Sequence, residues 1–198
     1  MKFCSACGST VEVRIPDDGD HLPRHVCTAC KTIHYINPKI IVGVIPEAPD
    51  GRILMCRRNI EPRKGKWTFP AGFMELGETS AQGAAREGLE ESAAVIAVQD
   101  LLTVISVTYV SQVYMIHRGS LAEGAPFGPT SESSEVVLMR EDEIPWSEIA
   151  FPTIYQSLKY FFADRAAGLR GFHALDLTHR PSREAQAEIT SWLAGVKG

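Results

Sequence analysis

The stretch Gly72–Ala94, GFMELGETSAQGAAREGLEESAA, decides how this chain of 198 residues is organised. Its second half predicts a helix, and at about 100° per residue Glu87, Glu90 and Glu91 fall on one side of that helix. The opposite side carries small residues, which let a helix pack close to a sheet: Ala81, Ala84, Ala85, Gly88 and Ser92. We therefore expect a helix that packs its small residues on a sheet and holds its acids outward.

A capping box predicts where this helix begins. Thr79 and Gln82 are three residues apart, the spacing at which each side chain can bond the backbone N–H of the other residue. The first helical residue is therefore expected near Ser80.

The acidic residues belong to a longer pattern of fixed spacing, G-x5-E-x7-R-E-x2-E-E. An isolated E-x-x-E-E is typical of a solvated helix face, on which like charges repel weakly. The full pattern resembles the Nudix box, the signature of hydrolases that cleave nucleoside diphosphates linked to another moiety. The resemblance implies an α+β fold, the Nudix α/β/α sandwich with a mixed sheet. The residues that carry it are Gly72, Glu78, Arg86, Glu87, Glu90 and Glu91.

The chemistry of pyrophosphate cleavage explains such a box. A pyrophosphate carries several negative charges, and the divalent cations that neutralise them prefer hard oxygen ligands such as carboxylates. The resemblance implies that Glu87 and Glu91 are the principal ligands of Mg²⁺ or Mn²⁺. Glu90 would be a further ligand or would orient water, and the Ala71 carbonyl would offer another oxygen.

Other positions of the box concern its packing. By the same resemblance, Arg86 and Glu78 would form an ion pair that ties the preceding loop to the helix. The chain departs from the family at Gly88, where a bulky aliphatic residue is usual, and at Ala93 and Ala94, where glycine and an aliphatic residue are usual. Gly88 lowers helix propensity and leaves volume that neighbours must fill. Ala93 is a poorer left-handed helix terminator than glycine.

Two Cys-x2-Cys pairs, Cys4 with Cys7 and Cys27 with Cys30, are separated by nineteen residues. This spacing matches a tetrahedral structural Zn²⁺ site. Two disulfides are disfavoured in a chain without a secretion signal, and no strand–helix context supports a redox pair. Residues 1–36 are therefore predicted to be a small zinc ribbon, with two short strands between the pairs, that depends on the metal to fold. Three nearby histidines are predicted to be surface or packing residues rather than ligands: His21, His25 and His34.

Composition is that of one ordinary globular domain with a small appendage. The hydrophobic fraction is 44%, the charged fraction is 22% and the net charge is −4. The net charge argues against a dedicated nucleic-acid binder. No apolar run reaches the length of a membrane span, and the N-terminus MKFCSACGS lacks the apolar core of a signal peptide. These features predict a cytoplasmic protein.

The chain is expected to have three parts. The zinc ribbon of residues 1–36 precedes a Nudix hydrolase domain of residues 37–163, and residues 164–198 form a C-terminal helical extension. In the last part, Pro181–Val196 has an apolar stripe that must be buried on the body or on a second subunit. That stripe suits a homodimer.

Substrate contacts and the general base lie outside the box. Arg57 and Arg58, at the end of a predicted strand, are either surface charges or ligands of substrate phosphate. Glu132 and Glu135 occupy a loop-to-strand position where enzymes similar to this one place an acidic residue. Glu135 is the predicted base or extra metal ligand, and two solvated glutamates are the alternative.

The resemblance extends from residue 3 to about residue 163. This part of the chain is similar to the zinc-ribbon Nudix branch that includes plant FAD and ADP-ribose pyrophosphatases. The stretches that carry the similarity are the ribbon, INPKIIVGVI, CRRNIEPRKGKWTFPAGFMELGE and EDEIPWSEIAFPTIYQSLKYF. It implies hydrolysis of FAD or ADP-ribose with release of AMP. NADH pyrophosphatases rank second because their S-Q-P-W-P-F-P-x-S signature is absent after Ser111-Gln112.

A different class of function is a zinc-ribbon adaptor that binds nucleic acid or protein on an inactive Nudix scaffold. The ribbon mixes basic and acidic residues and has no basic patch. We therefore predict an enzyme that acts on a small-molecule dinucleotide, with nucleic acid an unlikely partner and no membrane partner.

Overall fold

The computed structural model describes residues 1–179, which divide into two compact units. The first unit, Met1–Pro38, holds a three-stranded antiparallel sheet. Its strands are β1 (Val11–Arg14), β2 (Arg24–Cys27) and β3 (Ile33–His34). The two short strands predicted between the cysteine pairs are β1 and β2, and the second pair is followed by β3.

The second unit starts at Lys39 and is built on an eight-stranded mixed sheet. The main path has the order β10-β5-β4-β9-β8-β11, with β6 paired to β5 and β7 to β4. The pairs β4–β9 and β8–β11 are parallel, and the others are antiparallel. Its strands are β4 (Lys39–Glu47), β5 (Ile53–Arg58), β6 (Trp67–Thr68), β7 (Ala71–Phe73), β8 (Ala97–Val107), β9 (Gln112–Ser120), β10 (Ser133–Met139) and β11 (His173–Leu177).

Two helices cover this sheet. Helix α1 spans Ser80–Ser92 and α2 spans Pro152–Ala167, with short 3-10 turns at Thr108–Val110, Glu141–Glu143 and Trp146–Glu148. Each helix packs on its own hydrophobic core. Alternate residues of β5 enter the two cores, because successive side chains of a strand point to opposite faces. The core with α2 contains Ile53, Met55 and Leu158, and the core with α1 contains Leu54, Cys56 and Ala84. This arrangement confirms the predicted α/β/α sandwich.

Helix α1 begins at the predicted residue. The side chain of Thr79 accepts a bond from the Gln82 N–H, and the Gln82 side chain accepts one from the Thr79 N–H, so both halves of the capping box form. The C-cap residue of the helix is Ala93, which adopts the left-handed conformation with φ 57° although it has a Cβ. A Cβ on Gly88 would overlap Cδ1 of Ile96, so Ile96 fills the volume that the glycine leaves.

The segment that follows the main domain differs from the prediction. Residues 164–179 are not a helical extension: α2 continues to Ala167, and the chain then returns as β11, which pairs in parallel with β8. Buried Arg118 of β9 forms an ion pair with buried Asp164 and donates to the Gly171 carbonyl at 2.8 Å. These bonds join the segment to the sheet. The amphipathic helix predicted at Pro181–Val196 lies outside the described residues.

Within residues 1–179, no helix combines the length and the apolar character that a membrane crossing requires. The cytoplasmic location and the homodimer stay predictions.

Candidate active site

A cavity of about 690 Å³ opens in the second unit where α1, β7 and the first turn of α2 come together. Six glutamates line it: Glu61, Glu75, Glu87, Glu90, Glu91 and Glu132. Apolar and aromatic residues form much of the remaining wall: Ile41, Phe73, Val107, Tyr114 and Phe151. A cluster of acids beside an apolar wall can bind a polar, charged group and a ring system at the same time.

Glu91 is the most deeply buried of these acids, with 4% of its surface exposed. Its Oε2 accepts a hydrogen bond from the Ala71 N–H at 3.0 Å. Burial raises the pKa of the Glu91 carboxyl to about 8, the negative charge of Glu87 adds to that rise, and the Ala71 hydrogen bond opposes it. The resemblance implied that the Ala71 carbonyl oxygen would be offered to a metal ion. The contact from Ala71 that the structure shows is instead the hydrogen bond from its N–H to Glu91.

Glu87 lies one helical turn before Glu91 and is also buried, with 7% exposed. Its carboxylate passes so close over Gly72 that a Cβ on Gly72 would overlap it. Burial raises the pKa of this carboxyl, and Arg86 opposes the rise. The expectation that α1 holds its acids outward is therefore wrong for Glu87 and Glu91, because β7 covers this side of the helix. It holds for Glu90, whose side chain is 50% exposed.

Arg86 joins the acids of the box to the loop before the helix. Its guanidinium contacts Glu78 at 2.9 Å, Glu87 at 2.8 Å and Glu90 at 2.8 Å. It also donates to the Phe73 carbonyl at 3.0 Å. Hydrogen bonds from Arg86 lower the pKa of the Glu78 carboxyl to about 2. The ion pair between Arg86 and Glu78 that the resemblance implied is thus present, and it joins the loop to the helix.

The donor set of the cavity fits a divalent cation. Glu87 and Glu91 are buried carboxylates whose pKa values burial raises, so their charges are incompletely balanced by the protein. Arg86 contacts Glu87, whereas within residues 1–179 Glu91 has no ion pair. Mg²⁺ and Mn²⁺ take hard oxygen ligands of this kind. Glu87, Glu91 and the half-exposed Glu90 are the residues that would hold such an ion.

The two arginines at the end of β5 have different surroundings. Arg58 is buried, with 8% exposed, and lines the cavity. Arg57 is exposed and lies outside the cavity lining, where its side chain donates to the Gly65 carbonyl at 3.1 Å and approaches Glu135 at 3.6 Å. Adjacent residues of a strand point to opposite faces, so only one of them can face the cavity. The prediction of a substrate contact thus has a structural basis for Arg58 and none for Arg57.

The two candidate bases also have different surroundings. Glu135 lies directly opposite Arg57 in the pairing of β10 with β5, and it lies outside the cavity lining. Glu132 precedes β10 and lines the cavity, and its negative charge raises the pKa of both Glu87 and Glu91. Its carbonyl accepts from the Asn59 N–H at 2.7 Å, which fixes the loop beside β5. The structure therefore favours Glu132, the residue that sequence reasoning ranked below Glu135.

In the first unit, the thiols of Cys4, Cys7, Cys27 and Cys30 lie within 4.8 Å of one another. None forms a disulfide. Four converging sulfurs fit a structural Zn²⁺ ion. His34, predicted to be a surface or packing residue, places Nε2 3.3 Å from the Cys4 sulfur. The sequence signal that could have indicated this contact is the position of His34, four residues after Cys30. Side chains close to metal ligands commonly form hydrogen bonds that orient those ligands.

Comparison with known families agrees with the fold and with the box. The NUDIX domain family model matches residues 37–163, and the zinc-ribbon family described as Nudix N-terminal matches residues 2–36. The chain belongs to the Nudix hydrolase family, and it is an enzyme of the hydrolase class. The alternative of an inactive scaffold that serves as an adaptor has no support from these matches.

Individual relatives are named for different substrates. The chain is 50% identical to a NUDIX hydrolase from Nitrosomonas europaea, whose crystal structure superposes with a TM-score of 0.85 over 90% of this chain and 100% of that one. It is 39% identical over 93 residues to the NAD-capped RNA hydrolase NudC of Edwardsiella ictaluri, covering 46% of this chain and 33% of the relative. It is 39% identical over 72 residues to an ADP-ribose pyrophosphatase of Methanocaldococcus jannaschii, covering 36% of this chain and 42% of the relative. The match thus spans less than half the length of these curated relatives.

Proposed function

We propose that this protein is a Mg²⁺- or Mn²⁺-dependent pyrophosphohydrolase that cleaves FAD or ADP-ribose at the pyrophosphate and releases AMP. The observation that carries the proposal is the pair of buried carboxylates, Glu87 and Glu91, in a cavity that also holds Arg58 and an apolar wall. Both substrates have the two features that this cavity could bind, a pyrophosphate and a ring system.

Each side chain has a distinct part in the proposed reaction. A divalent ion held by Glu87 and Glu91 would neutralise phosphate charge and make bound water more acidic. Glu132 takes a proton from the attacking water, and the water oxygen forms a bond to one phosphorus. The bridging P–O bond breaks, and the second phosphate leaves with its negative charge near Arg58. Arg58 is suited to this task because a guanidinium binds phosphate oxygens with two parallel donors.

The apolar wall supplies binding energy for the rest of the substrate. Phe73 is 52% exposed, and Lys39 Nζ lies 5.1 Å from its ring centroid. Aromatic rings such as Phe73 and Tyr114 can stack on an adenine or a flavin ring. Such contacts orient the pyrophosphate without taking part in bond breaking.

A second candidate is cleavage of NAD-type dinucleotides, including those that cap RNA. The names of several curated relatives favour it. So does the loop after β5, where exposed Arg63 lines the cavity and Lys64 and Lys66 follow in sequence. Within residues 1–179 none of the three forms an ion pair. Basic side chains attract phosphate groups, and an RNA chain carries more of them than a dinucleotide does. This observation weighs against the sequence-based expectation that nucleic acid is an unlikely partner.

The test is turnover on a panel of FAD, ADP-ribose, NADH and NAD-capped RNA, read by the nucleotide released, in zinc-replete protein with Mg²⁺. Glu87→Gln and Glu91→Gln should each lower kcat by roughly 100-fold or more, because each removes charge that stabilises the transition state. Glu123→Gln is the control, since Glu123 is exposed and lies outside the cavity lining. Preference for NAD-capped RNA with a steep dependence on salt would select the second candidate. Failure of wild-type protein to hydrolyse any member of the panel would contradict both candidates.

A further inference from the structure

Thr153 carries a hydroxyl that the fold leaves without a partner. The residue is 3% exposed, and its Oγ1 has no hydrogen-bond partner within residues 1–179. Burial raises the pKa of the Tyr114 phenol and the Thr153 hydroxyl opposes that rise, but no hydrogen bond of normal geometry joins the two groups. A buried polar atom of this kind destabilises the protein unless something else bonds it.

The location of Thr153 indicates what that partner is. Thr153 is the second residue of the 16-residue helix α2, and it lines the cavity that holds Glu87 and Glu91. The N-cap residue of α2 is Phe151, which has no side-chain oxygen to accept from the N–H groups of the first turn. The first backbone bond of the helix is donated by Tyr155 to the Phe151 carbonyl at 3.1 Å. The uncapped N–H groups and the helix dipole attract an anion to this end of α2.

Arg58 lies between this helix end and the acids. Its guanidinium carbon is 5.3 Å from the ring centroid of Phe151, and its positive charge counteracts the rise in the pKa of Glu91. Its Nε donates to the Pro62 carbonyl at 2.9 Å. Within residues 1–179 Arg58 forms no ion pair, so its charge remains available to a bound anion.

We propose that the Thr153 hydroxyl, the first-turn N–H groups of α2 and Arg58 form a phosphate-binding subsite of this cavity. It would hold the second phosphate of a dinucleotide, the one that water does not attack. The role of this subsite in turnover rests on the proposed function, whereas its binding of phosphate does not. Thr153 is then a substrate-binding residue whose unpaired hydroxyl is retained because the substrate bonds it.

The experiment compares wild type with Thr153→Val and Thr153→Ser as full chains. Valine keeps the branched shape and removes the hydroxyl, and serine keeps the hydroxyl. Binding of inorganic phosphate without added divalent cation, measured by calorimetry, should weaken about tenfold in Thr153→Val and stay near wild type in Thr153→Ser, because one bond to a charged group is lost only in the first. With substrate, Thr153→Val should raise KM by a similar factor and change kcat less.

Two controls separate binding from folding. Thr68 lines the same cavity, but its Oγ1 already donates to the Phe69 carbonyl at 2.7 Å, so Thr68→Val should leave phosphate binding unchanged. The melting temperature of ligand-free Thr153→Val should equal or exceed that of wild type, because an unpaired buried hydroxyl has been removed. A clear fall in that temperature would mean that the hydroxyl is bonded within the protein, and it would overturn the proposal.

The remaining outcomes distinguish this proposal from the proposed function. Equal phosphate affinity and KM in wild type and Thr153→Val, with turnover intact, would overturn the subsite and leave the enzyme assignment standing. Loss of phosphate binding in Thr153→Val, in a protein that hydrolyses no member of the substrate panel, would support the subsite while the proposed function fails.

Discussion

The Ala71 N–H donates to Glu91 Oε2 at 3.0 Å, and this bond joins the first residue of β7 to the last glutamate of the box. Twenty residues separate the two, so the bond depends on how α1 packs on the sheet. A backbone donor holds one oxygen of this carboxylate in place, and Glu91 lines the cavity. The position of the buried acids therefore depends on the close approach of β7 to α1.

Gly72 permits that approach. Gly72→Ala should displace the Glu87 carboxylate and lower kcat, and overpacking should cost roughly 1–3 kcal/mol of folding stability. Gly128→Ala is the matched control, because a Cβ at Gly128 meets no atom within 4 Å. Urea unfolding and turnover of both variants check the prediction. Wild-type turnover in Gly72→Ala would show that the glycine is not needed for the position of Glu87.

The packing of Ile96 on Gly88 predicts a double-mutant result. Gly88→Ala should destabilise the protein despite alanine's better helix propensity, since its Cβ overlaps Cδ1 of Ile96. Ile96→Val removes that atom and should cost roughly 0.5–1.5 kcal/mol alone. The double variant should be more stable than the sum of the single effects predicts, by about 1 kcal/mol or more. Additive free energies of unfolding would contradict the contact.

The contrast between Glu132 and Glu135 can be tested by rate. Glu132→Gln should lower kcat by roughly 100-fold or more with little change in KM, as expected when a general base is removed. Glu135→Gln is its matched control and should turn over near the wild-type rate, because it faces Arg57 outside the cavity lining. The reverse result, a slow Glu135→Gln and a normal Glu132→Gln, would return the role of base to Glu135.

The cysteine cluster predicts a change in metal content. Cys27→Ser should lose bound zinc and destabilise the first unit, since Cys27 is fully buried among the four thiols. Elemental analysis of purified protein measures the metal. Cys56→Ala, which removes a buried thiol of the second unit, should keep the wild-type zinc content. Equal zinc in Cys27→Ser and wild type would rule out the ribbon site.

His117 predicts a dependence of stability on pH. Its Nε2 lies 3.1 Å from Ser80 Oγ at the start of α1, and its Nδ1 lies 3.2 Å from the Gln99 carbonyl. Burial lowers the pKa of the imidazole below 6.5. Below about pH 6.5 the unfolded chain therefore binds more protons than the folded protein does. The free energy of unfolding should fall as the pH is lowered, by at most about 1.4 kcal/mol per pH unit for one proton.

Urea midpoints at pH 7 and pH 5 measure this effect. His117→Gln should show a smaller loss of stability between the two values than wild type does. The control His179→Gln replaces an exposed histidine and should behave like wild type. An unchanged loss of stability in His117→Gln would exclude His117 as the group responsible.

Local features of the box were predictable from neighbouring residues. Thr79 and Gln82 cap α1 because both partners lie within one turn, and Arg86 reaches Glu78 across the short loop and first turns between them. The clustering of Cys4, Cys7, Cys27 and Cys30 was likewise evident from spacing, since a tetrahedral site requires paired thiols. These contacts depend on sequence separation and on the chemistry of the side chains.

Long-range packing decided what the sequence left open or predicted incorrectly. Glu87 and Glu91 are buried because β7 covers them. Arg58 rather than Arg57 lines the cavity because of the pleat of β5. Glu132 rather than Glu135 lines the cavity because the pairing of β10 with β5 sets Glu135 opposite Arg57. Thr153 meets the same cavity only because α2 packs on the opposite face of the sheet with its first turn at this edge. The sequence by itself determined the family, the acids and the thiols, since these depend on residue type and spacing. The tertiary structure decided which side chains share the cavity, because that depends on the register and packing of strands far apart in the chain.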